Sequence, residues 1–155
     1  MGHSIPMLIR YPRMVRPGAA ADQMVTNLDI APTFLELAEI PVPKRMQGLS
    51  MVPLLKGGQP KTWRKDWLYE YYEYPGSHSV PKNRGVRTDR YESIHYYEAP
   101  EEFEMYDLQE DPSELRNLYS DARHAGLARD LRRRIDELRV ETDDHYVFQP
   151  PKQQR

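Results

Sequence analysis

Four apolar residues late in the chain, Leu127, Leu131, Ile135 and Leu138, recur at spacings of four, four and three, and every residue between them except Ala128 is charged. That rhythm predicts a helix over about Ala122 to Glu141 with one narrow apolar stripe. A helix of this kind takes most of its stability from packing its stripe on something else. The chain therefore has to supply a docking surface, and the segments just upstream have the composition for one. Trp67 to Tyr74 is rich in Tyr and alternates weakly, as a half-buried strand does. Gly85–Thr88 and Tyr91–Tyr97 read as a strand pair linked at Asp89-Arg90, and Phe103 to Leu108 as a further strand. The helix is expected to lie across these antiparallel strands.

The front of the chain reads differently. Met7-Leu8-Ile9 predicts a short buried strand that Pro12 stops. Arg16-Pro17-Gly18 is a turn. From Asp29 to Glu39 the pattern is helical: Ile30, Phe34, Leu35, Leu37 and Ala38 share most of one face, Asp29 suits the N-cap, and Pro32 is tolerated in the first turn. Pro41 and Pro43 end it. Residues 40–66 hold many of the 14 prolines and the pair Gly57-Gly58, so they predict a loop pinned by Leu49, Val52, Leu54 and Leu55. Asp111-Pro112-Ser113-Glu114 has Asp, Pro and Glu where a helix start wants its cap, first residue and third residue. The tail from Asp143 is expected to fray. The sum is α+β: a strand–helix unit, a Pro-rich bridge, and a small antiparallel sheet with a packed C-terminal helix. The expected divisions are 1–60, 61–145 and 146–155.

Composition removes several classes of function. No stretch approaches the roughly 20 apolar residues of a membrane span. The absence of Cys excludes disulfides, thiolate metal sites and thiol nucleophiles in this chain. A net charge of -2 gives no general attraction to nucleic acid. Residues 1–10 lack the basic region and apolar core of a signal peptide. The five histidines form no His-x-x-x-His pair, so no metal site is expected. Asp107, Asp111 and Glu114 lack the rhythm of a calcium loop and read as capping groups. Arg129, Arg132, Arg133 and Arg134 interleave with acids and read as a solvated, ion-paired face. The loop Ser77–Arg84 is where polar chemistry crowds between two aromatic strands: His78, Lys82 and Arg84 could together hold an anion. The same residues also suit an ordinary solvated hairpin loop.

Five segments, in order, resemble the C-terminal part of the sulfatases of the alkaline-phosphatase-like superfamily. Ile5-Pro6-Met7-Leu8-Ile9-Arg10-Tyr11-Pro12 is similar to the family's late core strand, and Val25-Thr26-Asn27-Leu28-Asp29-Ile30-Ala31-Pro32-Thr33 to the opening of its next helix. Met46-Gln47-Gly48-Leu49-Ser50 with Pro53-Leu54-Leu55 resembles the loop leaving that core. Gly85-Val86-Arg87-Thr88-Asp89-Arg90-Tyr91 and Glu104-Met105-Tyr106-Asp107-Leu108, continuing through Asp111-Pro112 to Asn117-Leu118, resemble the C-terminal sheet. The resemblance implies that residues 1–60 are the last strand–helix and exit loop of a sulfatase core and that 61–145 are the C-terminal subdomain. It implies a sulfuric-ester hydrolase whose calcium and formylglycine belong to a full-length parent, with no catalytic or metal residue in this chain; Ser4-Ile5-Pro6-Met7-Leu8 has Leu8 where the nucleophile motif needs Arg. It raises His78, Lys82 and Arg84 as substrate-binding residues for a sulfated substrate. The expected partner is the N-terminal sulfatase core, or a second copy through the face that core would cover, around Met7–Ile9 and Phe34–Leu37. On these expectations the chain alone is inactive. A stand-alone binding module derived from the same subdomain is the alternative.

Overall fold

The computed structural model describes residues 5–74, 79–98 and 100–145. They divide into two compact units, 5–65 and 66–145.

In the first unit a 3-10 turn at Asn27–Asp29 runs into α1 (Ile30–Leu37), and a short α2 (Val52–Leu55) follows the Pro-rich loop. Asp29 stands at the expected N-cap, but its carboxylate does not cap α1. It accepts instead from the Thr26 amide at 2.8 Å, from the Leu49 amide at 2.7 Å and from the Arg64 guanidinium, with Arg64 Nη2 at 2.6 Å. Thr33 extends the knot, its hydroxyl donating to the Asp29 carbonyl at 2.5 Å and accepting from the Met51 amide at 2.8 Å. Trp63 closes the loop by donating its indole N–H to the Met24 carbonyl at 2.7 Å. This unit is held by a buried charge and its partners more than by apolar packing.

The strand expected at Met7–Ile9 is not formed. Residues 5–10 carry no regular structure; Ile5 is 87% exposed and Leu8 94%. A strand needs a neighbouring strand for its backbone hydrogen bonds, and the described residues 5–65 contain none. Leu28, Ile30, Phe34, Ile40 and Val42 are exposed as well.

The second unit is a four-stranded antiparallel meander, β1 (Asp66–Tyr71), β2 (Asn83–Thr88), β3 (Tyr91–Tyr96) and β4 (Glu102–Asp107), in sequential order. A 3-10 turn at Ala122–His124 leads into α3 (Ala125–Glu141). Strand side chains alternate between faces. On one face Leu68, Val86 and Met105 meet Leu118 and the α3 stripe of Ala128, Leu131, Ile135 and Leu138. The helix thus docks where its periodicity requires. Arg134 fastens it to β1, donating from Nε and Nη2 to the Asp66 carboxylate at 2.7 and 3.0 Å. On the other face Tyr69, Ile94 and Tyr106 pack with Trp67, Tyr96 and Leu108. Arg90, in the β2–β3 turn, grips the Asp107 carboxylate at the end of β4 with Nε at 3.0 Å and Nη2 at 2.6 Å.

No helix starts at Asp111. Glu114 adopts a left-handed φ of 55°, and the Asp111 carboxylate accepts from the Arg116 amide at 2.8 Å across an irregular turn. The segment has no apolar stripe to bury, and Leu115 is 87% exposed, so a helix there would gain nothing from docking. The cap that operates is Asp121, which accepts from the Arg123 amide at 3.0 Å.

Candidate functional site

The candidate site sits in the second unit, where the loop before β2 enters the sheet. Register sets one row of side chains across all four strands: Glu70 opposite Arg84, Arg84 opposite His95, His95 opposite Phe103. Parity puts this row on the α3 face, with Leu68 and Val86.

Arg84 is the hub. Its side chain is only 6% exposed and lies 4.3 Å over the Tyr97 ring. Its Nε is 3.5 Å from Glu70 Oε1 and its Nη1 3.9 Å from Asp144 Oδ2. Asp144, just past α3, is held in turn by Arg139 Nε at 2.6 Å. Lys82 pairs with Glu98 at 3.0 Å, and Asn83 donates from Nδ2 to the Pro81 carbonyl at 2.9 Å, tightening the approach to β2. Farther along the row, His95 stacks on Phe103 (4.4 Å, 12°) and Phe103 on Tyr119 (4.8 Å, 9°). Arg132 lies 4.4 Å over Phe103 and donates to the Tyr119 hydroxyl at 3.2 Å.

Burial and the neighbouring Asp144 charge push the Glu70 carboxyl up to about 7, against the opposing pull of Arg84 and Arg139. Burial also lowers His95, although the Glu101 carboxylate 2.6 Å from its Nε2 pulls the other way. The Glu70 shift has a definite sign. Between about pH 4.5, its ordinary value, and about 7, the folded chain keeps a proton that the unfolded chain has lost, so stability falls across that window. Glu70→Gln is expected to flatten this slope and to stabilise the protein by about 1–3 kcal/mol above pH 7, read from urea midpoints. Identical pH dependence in the variant and the parent chain would contradict the assignment.

Of the three residues expected to hold an anion, His78 lies outside the described residues, as does the 146–155 tail. The structure gives Lys82 and Arg84 separate carboxylate partners, Glu98 for one and Glu70 with Asp144 for the other. Sequence reasoning missed Glu70, Tyr97 and Asp144 because they come from three places in the chain. The usable signal was register: strands paired through an Asp89-Arg90 turn put Glu70 and Arg84 opposite one another. Among the described residues no group of three His, Cys, Asp or Glu gathers as a metal cage, and the sequence has no Cys. The chain therefore does not fit a calcium and formylglycine centre of its own.

Comparison with known proteins places this geometry in a wider family. The family model described as N-sulphoglucosamine sulphohydrolase, C-terminal, matches residues 2–141. An N-acetylglucosamine-6-O-sulfatase of Bacteroides thetaiotaomicron is 38% identical over 143 residues, covering 91% of this chain and 26% of the relative. A delta 4,5-hexuronate-2-O-sulfatase of the same organism is 31% identical, covering 92% of this chain and 30% of the relative. A structure solved in complex with its substrate D-glucosamine-2-N,6-O-disulfate superposes with a TM-score of 0.83 at 36% identity, over 94% of this chain and 29% of that one. The chain spans less than a third of the length of the relatives it matches.

Proposed function

The chain belongs to the N-sulphoglucosamine sulphohydrolase C-terminal family of sulfatases, and on that premise we propose that it serves as the C-terminal portion of a sulfuric-ester hydrolase acting on a sulfated sugar. The observation that carries the reading is one-sided coverage: nearly all of this chain aligns with about a quarter of a curated sulfatase. The exposed apolar surface of residues 5–65 supports it. Ile5, Leu8, Ile30 and Phe34 would be covered by the sulfatase core, or by a second copy of the chain in its absence.

In this reading the calcium and the formylglycine of the parent enzyme come from outside this chain and supply the attack on sulfur. This portion contributes a scaffold and a pocket loop. His78 and Lys82 offer cationic donors to a sulfated substrate. Arg84, enclosed by Glu70, Asp144 and Tyr97, holds the base of that loop in the sheet. The four-strand row behind it keeps the loop from shifting.

The test is sulfate-ester turnover. The pure 155-residue chain, supplied with calcium, is expected to hydrolyse no aryl sulfate. Metal-dependent turnover by this chain alone would overturn the proposal.

A further inference from the structure

The net charge of -2 conceals two opposite balances. Residues 5–65 carry nine Lys and Arg against four Asp and Glu, a net +5; residues 66–145 carry 11 against 20, a net -9. In the acidic unit cations such as Arg84, Arg90 and Arg134 sit on carboxylates. In residues 5–65 only Arg64 does, on Asp29, and the other eight make no ion pair among the described residues.

Part of this charge is gathered. A turn in which the Tyr11 carbonyl accepts from the Met14 and Val15 amides, at 2.9 and 2.8 Å, carries exposed Arg10 and Arg13 at its flanks. Arg16 follows, and its guanidinium reaches to 3.3 Å from where a Cβ on Gly57 would stand, one residue from exposed Lys56. Like charges brought together without carboxylates repel, and folding recovers nothing from them. They favour a ligand with repeated negative charge.

We propose that the surface formed by Arg10, Arg13, Arg16 and Lys56 binds an extended sulfated polysaccharide. The choice of polyanion rests on the sulfatase reading. It is also favoured over nucleic acid by the lack of a stacking platform beside these cations. Tyr11 is half-buried, Trp63 is tied to the Met24 carbonyl, and exposed Phe34 belongs to α1. Sulfate groups need cations alone.

The test is titration of the full chain with heparin and with fully desulfated heparin. Heparin is expected to bind at least tenfold more tightly than the desulfated polymer, with affinity falling steeply as salt rises, as cation–polyanion contacts do. Combining Arg13→Glu, Arg16→Glu and Lys56→Glu is expected to weaken heparin at least tenfold and reduce the salt slope. All three side chains are exposed, so the thermal melt should not move. Arg129→Glu with Arg133→Glu on α3 is the control and should change binding less than twofold. Absence of heparin binding, an unaffected triple variant, or duplex DNA bound as tightly as heparin overturns the inference. The sulfatase reading fails separately: heparin binding by a native protein that turns over no sulfate ester rejects the enzyme assignment and leaves the surface standing.

Discussion

Alanine at Asp29 is expected to cost residues 5–65 about 3–5 kcal/mol, because it leaves the Arg64 guanidinium without its buried partner. The carboxylate is fully buried and joins three places in the chain: the Thr26 turn, the Leu49 amide and Arg64. No apolar cluster in this unit could take over the task. Amides of residues 27–55 should exchange faster in the variant, while those of β2–β4 keep their protection. Asp29→Asn should fall between, since an amide can still accept from Leu49 but cannot answer the charge of Arg64. A loss below about 1 kcal/mol for Asp29→Ala would contradict this account, because it matches an exposed pair and not a buried one. The pH dependence has a fixed sign. Burial alone would raise the Asp29 carboxyl, but hydrogen bonds from Arg64, Thr26 and Leu49 outweigh it and hold the group below its ordinary value. Its contribution is therefore present above about pH 4 and is lost as pH falls through the folded value.

Gly85→Ala is expected to be the most damaging single methyl in the sheet. A Cβ at Gly85 would lie 2.4 Å from Cζ and Oη of Tyr69 and 2.6 Å from the Ser93 carbonyl oxygen. The carbonyl belongs to the neighbouring strand and cannot withdraw without breaking the β2–β3 ladder. Tyr69 cannot withdraw either. It is packed with Ile94 and Tyr106, and burial together with the adjacent Glu92 holds its phenol far above the usual range, as a neutral donor. The cost should reach or pass the upper end of the roughly 1–3 kcal/mol typical of overpacking. Tyr69→Leu in the Gly85→Ala background should relieve part of the clash, so the double variant should lose less than the two single losses combined. Strict additivity would show that the ring is not what excludes the methyl.

These two positions mark where sequence reasoning stopped. The sheet and α3 were legible because their side chains obey a period. Leu127, Leu131, Ile135 and Leu138 announce a helix, and the alternation around Val86, Ile94 and Met105 announces the strands that receive it. Asp29 was legible as a helix-cap residue but not as the acceptor for Leu49 and Arg64, since nothing local reports partners 20 and 35 residues away. Asp111-Pro112-Ser113-Glu114 misled for the opposite reason. Its local signal is sound, but no apolar stripe follows for a helix to bury. Met7-Leu8-Ile9 has the composition of a strand without a neighbour to pair with among residues 5–65. The row of Glu70, Arg84, His95 and Phe103 appears only once register is fixed, and Asp144 joins it only because α3 returns across the sheet. The resemblance to sulfatases survived these local errors because it rests on five ordered segments.

The central claim, that this chain is one portion of a larger sulfatase, is tested most directly by isolating the native polypeptide that contains residues 5–145 and measuring its intact mass with its sulfate-ester turnover. The account predicts a polypeptide roughly three to four times 18.3 kDa, given a match to 26–30% of its curated relatives, with turnover that the 155-residue chain lacks. A native species of 18.3 kDa without sulfatase activity would contradict it and favour a stand-alone binding module.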